Sequence, residues 1–114
     1  MSNCLFCNII KGDIPSKKIY EDEDVYAFED IHPQAAVHAL VVSKTHTPDV
    51  AHHAVLTDKE LAACLRACAK VAKQLGIEES GYRVVNNCGE DARQTVGHIH
   101  FHVLGGETLS ERMA

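Results

Sequence analysis

His98-Ile99-His100-Phe101-His102-Val103-Leu104, closed by Gly105 and Gly106, is the stretch on which the fold turns. Three histidines alternate with apolar residues, which is the period of a half-buried β-strand. Such a strand puts His98, His100 and His102 on one face and sends Ile99, Phe101 and Val103 into a core. Burial of the apolar three sets the register, because a slip of one residue would turn every imidazole inward. The expectation is a surface-facing row of titratable rings on a rigid support.

A strand advances about 3.4 Å per residue, so neighbouring histidines stand roughly 7 Å apart and the outer two roughly 14 Å. A Zn–N bond is only about 2.1 Å long, so three rings on one strand do not converge on one ion. The pattern points to divided labour, with a nucleophile or base in the middle and assisting groups beside it. Imidazole suits that task, since its ordinary pKa near 6.5 leaves the free base abundant at neutral pH.

Working outward, the polar loop Cys88–Gly97 leads into this strand and can offer backbone N–H groups near the rings. Gly81 to Asn87 reads as the strand before it. Further back, Thr57-Asp58-Lys59-Glu60 is a capping box that opens the main helix. Leu61, Cys64, Leu65, Cys68, Val71, Ala72 and Leu75 recur at helical spacing, and Gly76 closes the helix. Cys64 and Cys68 lie in that apolar stripe, which makes them core residues rather than metal ligands. Val37–Ser43 is strand-like, and two shorter strands are expected at Lys18–Glu21 and Val25–Glu29, joined by an acidic tip. A short helical piece is expected to start near His46 and to carry His52 and His53 facing solvent. At the front, Leu5, Phe6, Ile9 and Ile10 form the apolar face of a short helix that ends at Gly12.

Composition narrows the function classes. A chain of 114 residues makes one domain with a modest core, which dimerisation would help to stabilise. A net charge of −5 and the lack of a Lys/Arg cluster argue against nucleic-acid binding, and an anionic ligand would need local donors. No apolar run reaches membrane-spanning length and no signal-peptide pattern opens the chain, so a cytoplasmic protein is expected. Five cysteines, an odd number, suit reduced thiols or metal ligands better than a disulfide framework. No glycine-rich phosphate loop is present.

His98 to Leu104 resembles the signature of the histidine triad superfamily, His-φ-His-φ-His-φ-φ with φ apolar, at every position. The Val103-Leu104-Gly105-Gly106 ending is similar to the Hint branch. So are Leu5-Phe6-Cys7-Asn8-Ile9-Ile10, Gly12-Asp13-Ile14-Pro15, Asp30-Ile31, Pro33-Gln34-Ala35 and Gly81 to Asn87. The likeness runs from about residue 4 to residue 106, so residues 1–114 are expected to form a single domain of this type. It implies an α+β fold: a five-stranded, mostly antiparallel sheet with one main helix and short helices, paired into a ten-stranded sheet in a homodimer.

The resemblance also implies a hydrolase of purine nucleoside phosphoramidates or related nucleotidyl compounds, working through a nucleotidyl-histidine. His100 would be the nucleophile, with His98 and His102 beside it. Asn87, Gln94 and Thr95 would contact the phosphate or leaving group, Asp30 the ribose, and Leu5, Phe6, Ile9 and Phe28 the purine. The alternatives are a dinucleoside polyphosphate hydrolase of the Fhit kind, or a nucleotide-binding or scaffolding protein with incidental activity. The Cys4-x-x-Cys7 pair supplies half of a tetrahedral zinc site. In bacterial relatives with this pair it is completed by histidines matching His46 and His98, which implies a structural zinc and no organic cofactor. The chain departs from the pattern at Arg93, where a glycine is usual, and at Gly97 and His32. Its tail from Glu107 onward also lacks the tryptophan- and proline-bearing ending of the best-known Hint proteins.

Overall fold

The computed structural model describes residues 3–52 and 55–112. Its elements in chain order are α1 (Leu5–Lys11), β1 (Lys18–Glu21), β2 (Val25–Glu29), β3 (Val37–Ser43), α2 (Asp58–Gln74), β4 (Tyr82–Val85) and β5 (His100–Gly105). The strands form one five-stranded sheet in the order β1-β2-β3-β5-β4, and every adjacent pair is antiparallel. The fold is therefore α+β, as the sequence led us to expect.

One face of the sheet carries α2. Its stripe of Cys64, Ala67, Cys68, Val71 and Ala72 packs on Val25, Ala27, Ala39, Val41, Phe101 and Val103, and Ile99 joins the same core. Thr57 caps α2 through its side chain, and Glu60 reaches back to the Thr57 amide, so the capping box is complete. Burial pushes the thiol pKa of Cys64 up to about 12 and that of Cys68 up to about 11, which makes both inert fillers of the core.

The opposite face carries the histidines. There α1 lays Phe6 and Ile9 against Tyr26, Phe28, Leu40 and Val42 in a second, smaller core. Gly12 stops α1 in the left-handed conformation at φ 86°, which only glycine adopts without strain. The expected helical piece near His46 does not form: residues 44–52 run as bends and turns, with Asp49 Oδ1 accepting from the Ala51 and His52 amides. An aspartate that satisfies nearby amides this way favours a turn over a helix. His52 is exposed and also meets Asp49 through its ring at 2.8 Å, while His53 lies outside the described residues.

The triad stretch itself differs from a seven-residue strand. β5 begins at His100, and the chain before it turns: the His98 amide bonds to the Val96 carbonyl and the Ile99 amide to the Thr47 carbonyl. The row does not face solvent. His98 is 0% exposed and His100 3%, because α1 and its Phe6 cover the face that strand periodicity alone leaves open. At the far end Gly106 holds φ 81°, and a Cβ there would come within 2.8 Å of Val37 Cγ2, so the second glycine lets β5 leave the sheet past β3.

Candidate active site

His100 stands on β5 with its Nδ1–H donated to the His98 carbonyl at 2.8 Å. A carbonyl only accepts, so the proton sits on Nδ1 and the Nε2 lone pair is bare. Among the described residues nothing hydrogen-bonds to Nε2. The ring meets Phe6 edge to face at a centroid distance of 5.1 Å and lines a cavity of about 390 Å³. It is thus enclosed by largely apolar walls, with Nδ1 spent on the backbone and Nε2 left bare among the described residues. Burial lowers its pKa, with the His98 carbonyl and Asp30 opposing, so the neutral ring is favoured more than in a free imidazole.

His102 follows two residues on, with its ring centroid 5.1 Å from that of His100. Its tautomer is set by His38 of β3, a residue the sequence did not single out. The Gln34 amide donates to His38 Nδ1 at 3.0 Å, so the His38 proton is on Nε2. That Nε2–H reaches His102 Nδ1 at 2.9 Å, which leaves the remaining proton of His102 on Nε2. The pair therefore presents one bare nitrogen, on His100, and one N–H, on His102. Burial, aided by the charges that His100 and His38 would carry, lowers the His102 pKa to about 4, so this N–H belongs to a neutral ring.

Asp30 closes this side. Its Oδ1 accepts from the His32 amide at 2.8 Å and its Oδ2 lies 3.5 Å from His38 Nε2, with lone pairs left over for a ligand. Asp30, His38 and His102 also form a triangle of donor atoms within 4.8 Å, but the order of hydrogen bonds already uses the lone pair of His102 Nδ1. Asn86, likewise unremarked in the sequence, donates to the His100 carbonyl at 2.9 Å and ties the end of β4 to the start of β5.

Of the residues expected in the site, Leu5, Phe6, Ile9, Phe28, Asp30, Thr95, His100 and His102 line this one cavity. His32 lines it too, at its exposed lip. Asn87 lines an adjoining cavity that shares His102, and its side chain donates to the Ala92 carbonyl. Gln94 is turned to the backbone: its amide nitrogen donates to the Pro48 and Val96 carbonyls and its oxygen accepts from the Gly89 amide. It shapes the loop before β5. Arg93 holds φ 62° in that loop, the conformation a glycine would take without cost.

A second cluster lies at the end of the row. His98 Nε2–H donates to the Ser43 carbonyl at 2.8 Å, which leaves the lone pair on Nδ1. That nitrogen faces Cys4 Sγ at 3.3 Å, Cys7 Sγ at 3.6 Å and His46 Nδ1 at 3.1 Å, and Cys7 Sγ is 3.4 Å from His46 Nδ1. The edges of a tetrahedral zinc shell are about 3.3 Å between nitrogens and about 3.6 Å between nitrogen and sulfur. The donor types, the spacing and the carbonyl behind His98 all fit such an ion. Burial lowers the His98 pKa to about 4, which keeps its ring neutral as a ligand must be.

The HIT domain family model matches residues 11–109, which contain every histidine of both clusters. The chain belongs to the HIT domain family. This HIT protein is 39% identical over 110 residues to the purine nucleoside phosphoramidase of Escherichia coli K12, covering 96% of this chain and 92% of the relative. Its fold matches a HIT family hydrolase from Clostridium thermocellum with a TM-score of 0.92 at 43% identity, covering 100% of this chain and 99% of the other. A histidine triad nucleotide-binding protein from Candida albicans matches with a TM-score of 0.81 at 35% identity, over 98% of this chain and 87% of that one.

Proposed function

We propose that this HIT protein hydrolyses purine nucleoside phosphoramidates or related nucleotidyl compounds, with His100 as nucleophile. One observation carries the reading: a buried imidazole that lines the site's cavity, with Nδ1 held by a backbone carbonyl and Nε2 left bare. In the first step the Nε2 lone pair bonds to the α-phosphorus, and the leaving group departs with the electron pair of its bond to phosphorus. The charge left on the ring is shared with the His98 carbonyl through Nδ1–H. In the second step water attacks phosphorus and the pair returns to His100. The proton that water loses balances the one the leaving amine gains. The Nε2–H of His102 is placed to donate to a phosphoryl oxygen as charge builds there.

The apolar walls from Leu5, Phe6, Ile9 and Phe28 suit a purine ring, and Asp30 can accept from ribose hydroxyls. Thr95 and Asn87 flank the phosphate side, while Gln94 supports the loop between them. Relatives named as a purine nucleoside phosphoramidase and a histidine triad nucleotide-binding protein support this assignment. Cys4, Cys7, His46 and His98 would hold zinc, which would supply structural cross-linking of α1 to the chain before β5. No helix of the described residues is long and apolar enough to cross a membrane.

His100→Ala is expected to abolish turnover of an adenosine phosphoramidate while retaining binding of AMP, because the cavity outlasts the nucleophile. Turnover at the wild-type rate in that variant would refute the mechanism. The proposal extends to a homodimer: β4 is an open edge, and Val84 on it is 39% exposed and Leu65 of α2 53% exposed. Sedimentation at micromolar concentration should give twice the chain mass, and a monomer would contradict the pairing.

A further inference from the structure

The cluster of Cys4, Cys7, His46 and His98 reaches the surface at one end and the histidine row at the other. His46 is exposed and both cysteines are half-buried, whereas His98 behind them is fully buried. The two thiols belong to one Cys-x-x-Cys unit, with Cys4 as the N-cap of α1 and Cys7 in its first turn. The Cys7 amide donates to Cys4 Sγ at 3.4 Å, and all four ligand atoms lie within 4.8 Å of one another. A disulfide places its sulfurs about 2.0 Å apart, so a closure of at most about 3 Å joins them. The same sulfurs can face an ion or each other, but not both at once.

These thiols differ from those in the core. Cys64 and Cys68 are held in their protonated, unreactive form by burial, with pKa values pushed up to about 12 and about 11. Oxidants react with thiolates that solvent can reach, and coordination to a metal produces the thiolate.

The helix carries the state of the sulfurs to the nucleotide cavity. Phe6 stands between the two cysteines in sequence and is 3% exposed. It meets His98 and His100 edge to face, at centroid distances of 5.9 Å and 5.1 Å. Leu5 and Ile9 of the same helix line the cavity with it. His98, which both sulfurs face, also supplies the carbonyl that orients His100.

Resting on the function proposed above, we propose that Cys4 and Cys7 form a redox switch on that site. Oxidation to a disulfide releases the ion, frees the start of α1 from His98 and weakens purine-nucleotide binding. With hydrogen peroxide as oxidant the step balances. The two thiolates give up two electrons and join through one S–S bond. The O–O bond breaks, and its oxygens leave as two waters after taking two protons from solvent. His46 and His98 alone are then too few to hold a tetrahedral ion. A dithiol reverses the step by thiol–disulfide exchange and restores both ligands.

The test uses the full chain, reduced and loaded with zinc. Hydrogen peroxide should release the zinc to a chromogenic chelator, and a peptide map should place the new disulfide at Cys4–Cys7. The Kd for AMP, read by calorimetry, should rise about 5- to 150-fold, the usual range for coupling between two sites. Dithiothreitol with added zinc should restore it. Cys88→Ser should respond as the wild type does, because the half-buried Cys88 lies outside the cluster. Cys7→His keeps a fourth nitrogen or sulfur ligand but cannot form the disulfide, so its zinc and its AMP affinity should resist peroxide. Zinc retained under peroxide, a disulfide formed elsewhere, or an AMP affinity that oxidation leaves unchanged would each overturn the switch. Failure of the reduced, zinc-loaded chain to bind AMP would instead overturn the nucleotide reading, and this proposal with it.

Discussion

In the proposed mechanism a single proton on His100 decides reactivity, and a backbone carbonyl places it. At His102 the placement comes from a side chain, His38, itself held by the Gln34 amide. His38→Phe keeps the bulk in the buried strand but removes the donor, so His102 becomes free to carry its proton on either nitrogen. Turnover of a phosphoramidate should fall by about 10²-fold with KM little changed, in the range for lost supporting partners of a working histidine. Rates equal to wild type would mean that His102 finds its tautomer unaided. His38 escaped notice in the sequence for a physical reason. A lone histidine within Val37–Ser43 reads as one polar residue on an apolar strand, and only the β3–β5 register brings it to His102. Asn86 was hidden in the same way. Gln94 sits at the expected place in the chain, but its side chain turns to three backbone groups instead of outward.

At the scale of elements, the strands and the main helix were legible because periodicity and caps are local. The alternation in β5, the capping box of α2 and the glycine stop of α1 each record a short-range preference in a few adjacent residues. The cover over the histidines was legible only through the family resemblance, not through periodicity: it depends on α1 crossing to a sheet face more than ninety residues away in sequence, with Cys4 and Cys7 meeting His98 there. That crossing sets the prediction for this scale. Protein purified without chelator should carry about one zinc per chain, and Cys7→Ser should lose it. Because α1 also walls the cavity, the same variant should bind AMP more weakly and melt earlier. Wild-type protein with no metal and unchanged melting in Cys7→Ser would contradict the site.

For the whole molecule, burying titratable rings has a pH signature. His98 and His102 ionise near 4 in the folded chain but near 6.5 when unfolded. Above 6.5 both states are neutral at these rings and folding is not penalised. As pH falls from 6.5 towards 4 the unfolded chain takes up protons that the folded chain refuses, so stability drops, and the share due to these rings is fully lost below 4. His100 and His38, also lowered by burial, act in the same direction. The unfolding free energy from urea melts should therefore be flat from pH 8 to 7 and decline between 6.5 and 4, by about 3 kcal/mol for each of the two rings. A midpoint that rises on acidification would contradict the burial of these rings. Burial favours the neutral form of His100 in the same way, so its Nε2 stays bare at neutral pH.

The carbonyl that orients His100 belongs to the peptide of His98, two positions earlier, and no side-chain replacement can delete it. The two members of the histidine pair therefore differ in their exposure to mutation. The ring proposed to attack keeps its orientation through sequence drift so long as residue 100 stays histidine and the turn before it holds. The donating ring can be lost through a single codon change at position 38. Laboratory evolution toward new substrates should accordingly accumulate its changes around the donor and spare the attacking atom, which the main chain itself protects.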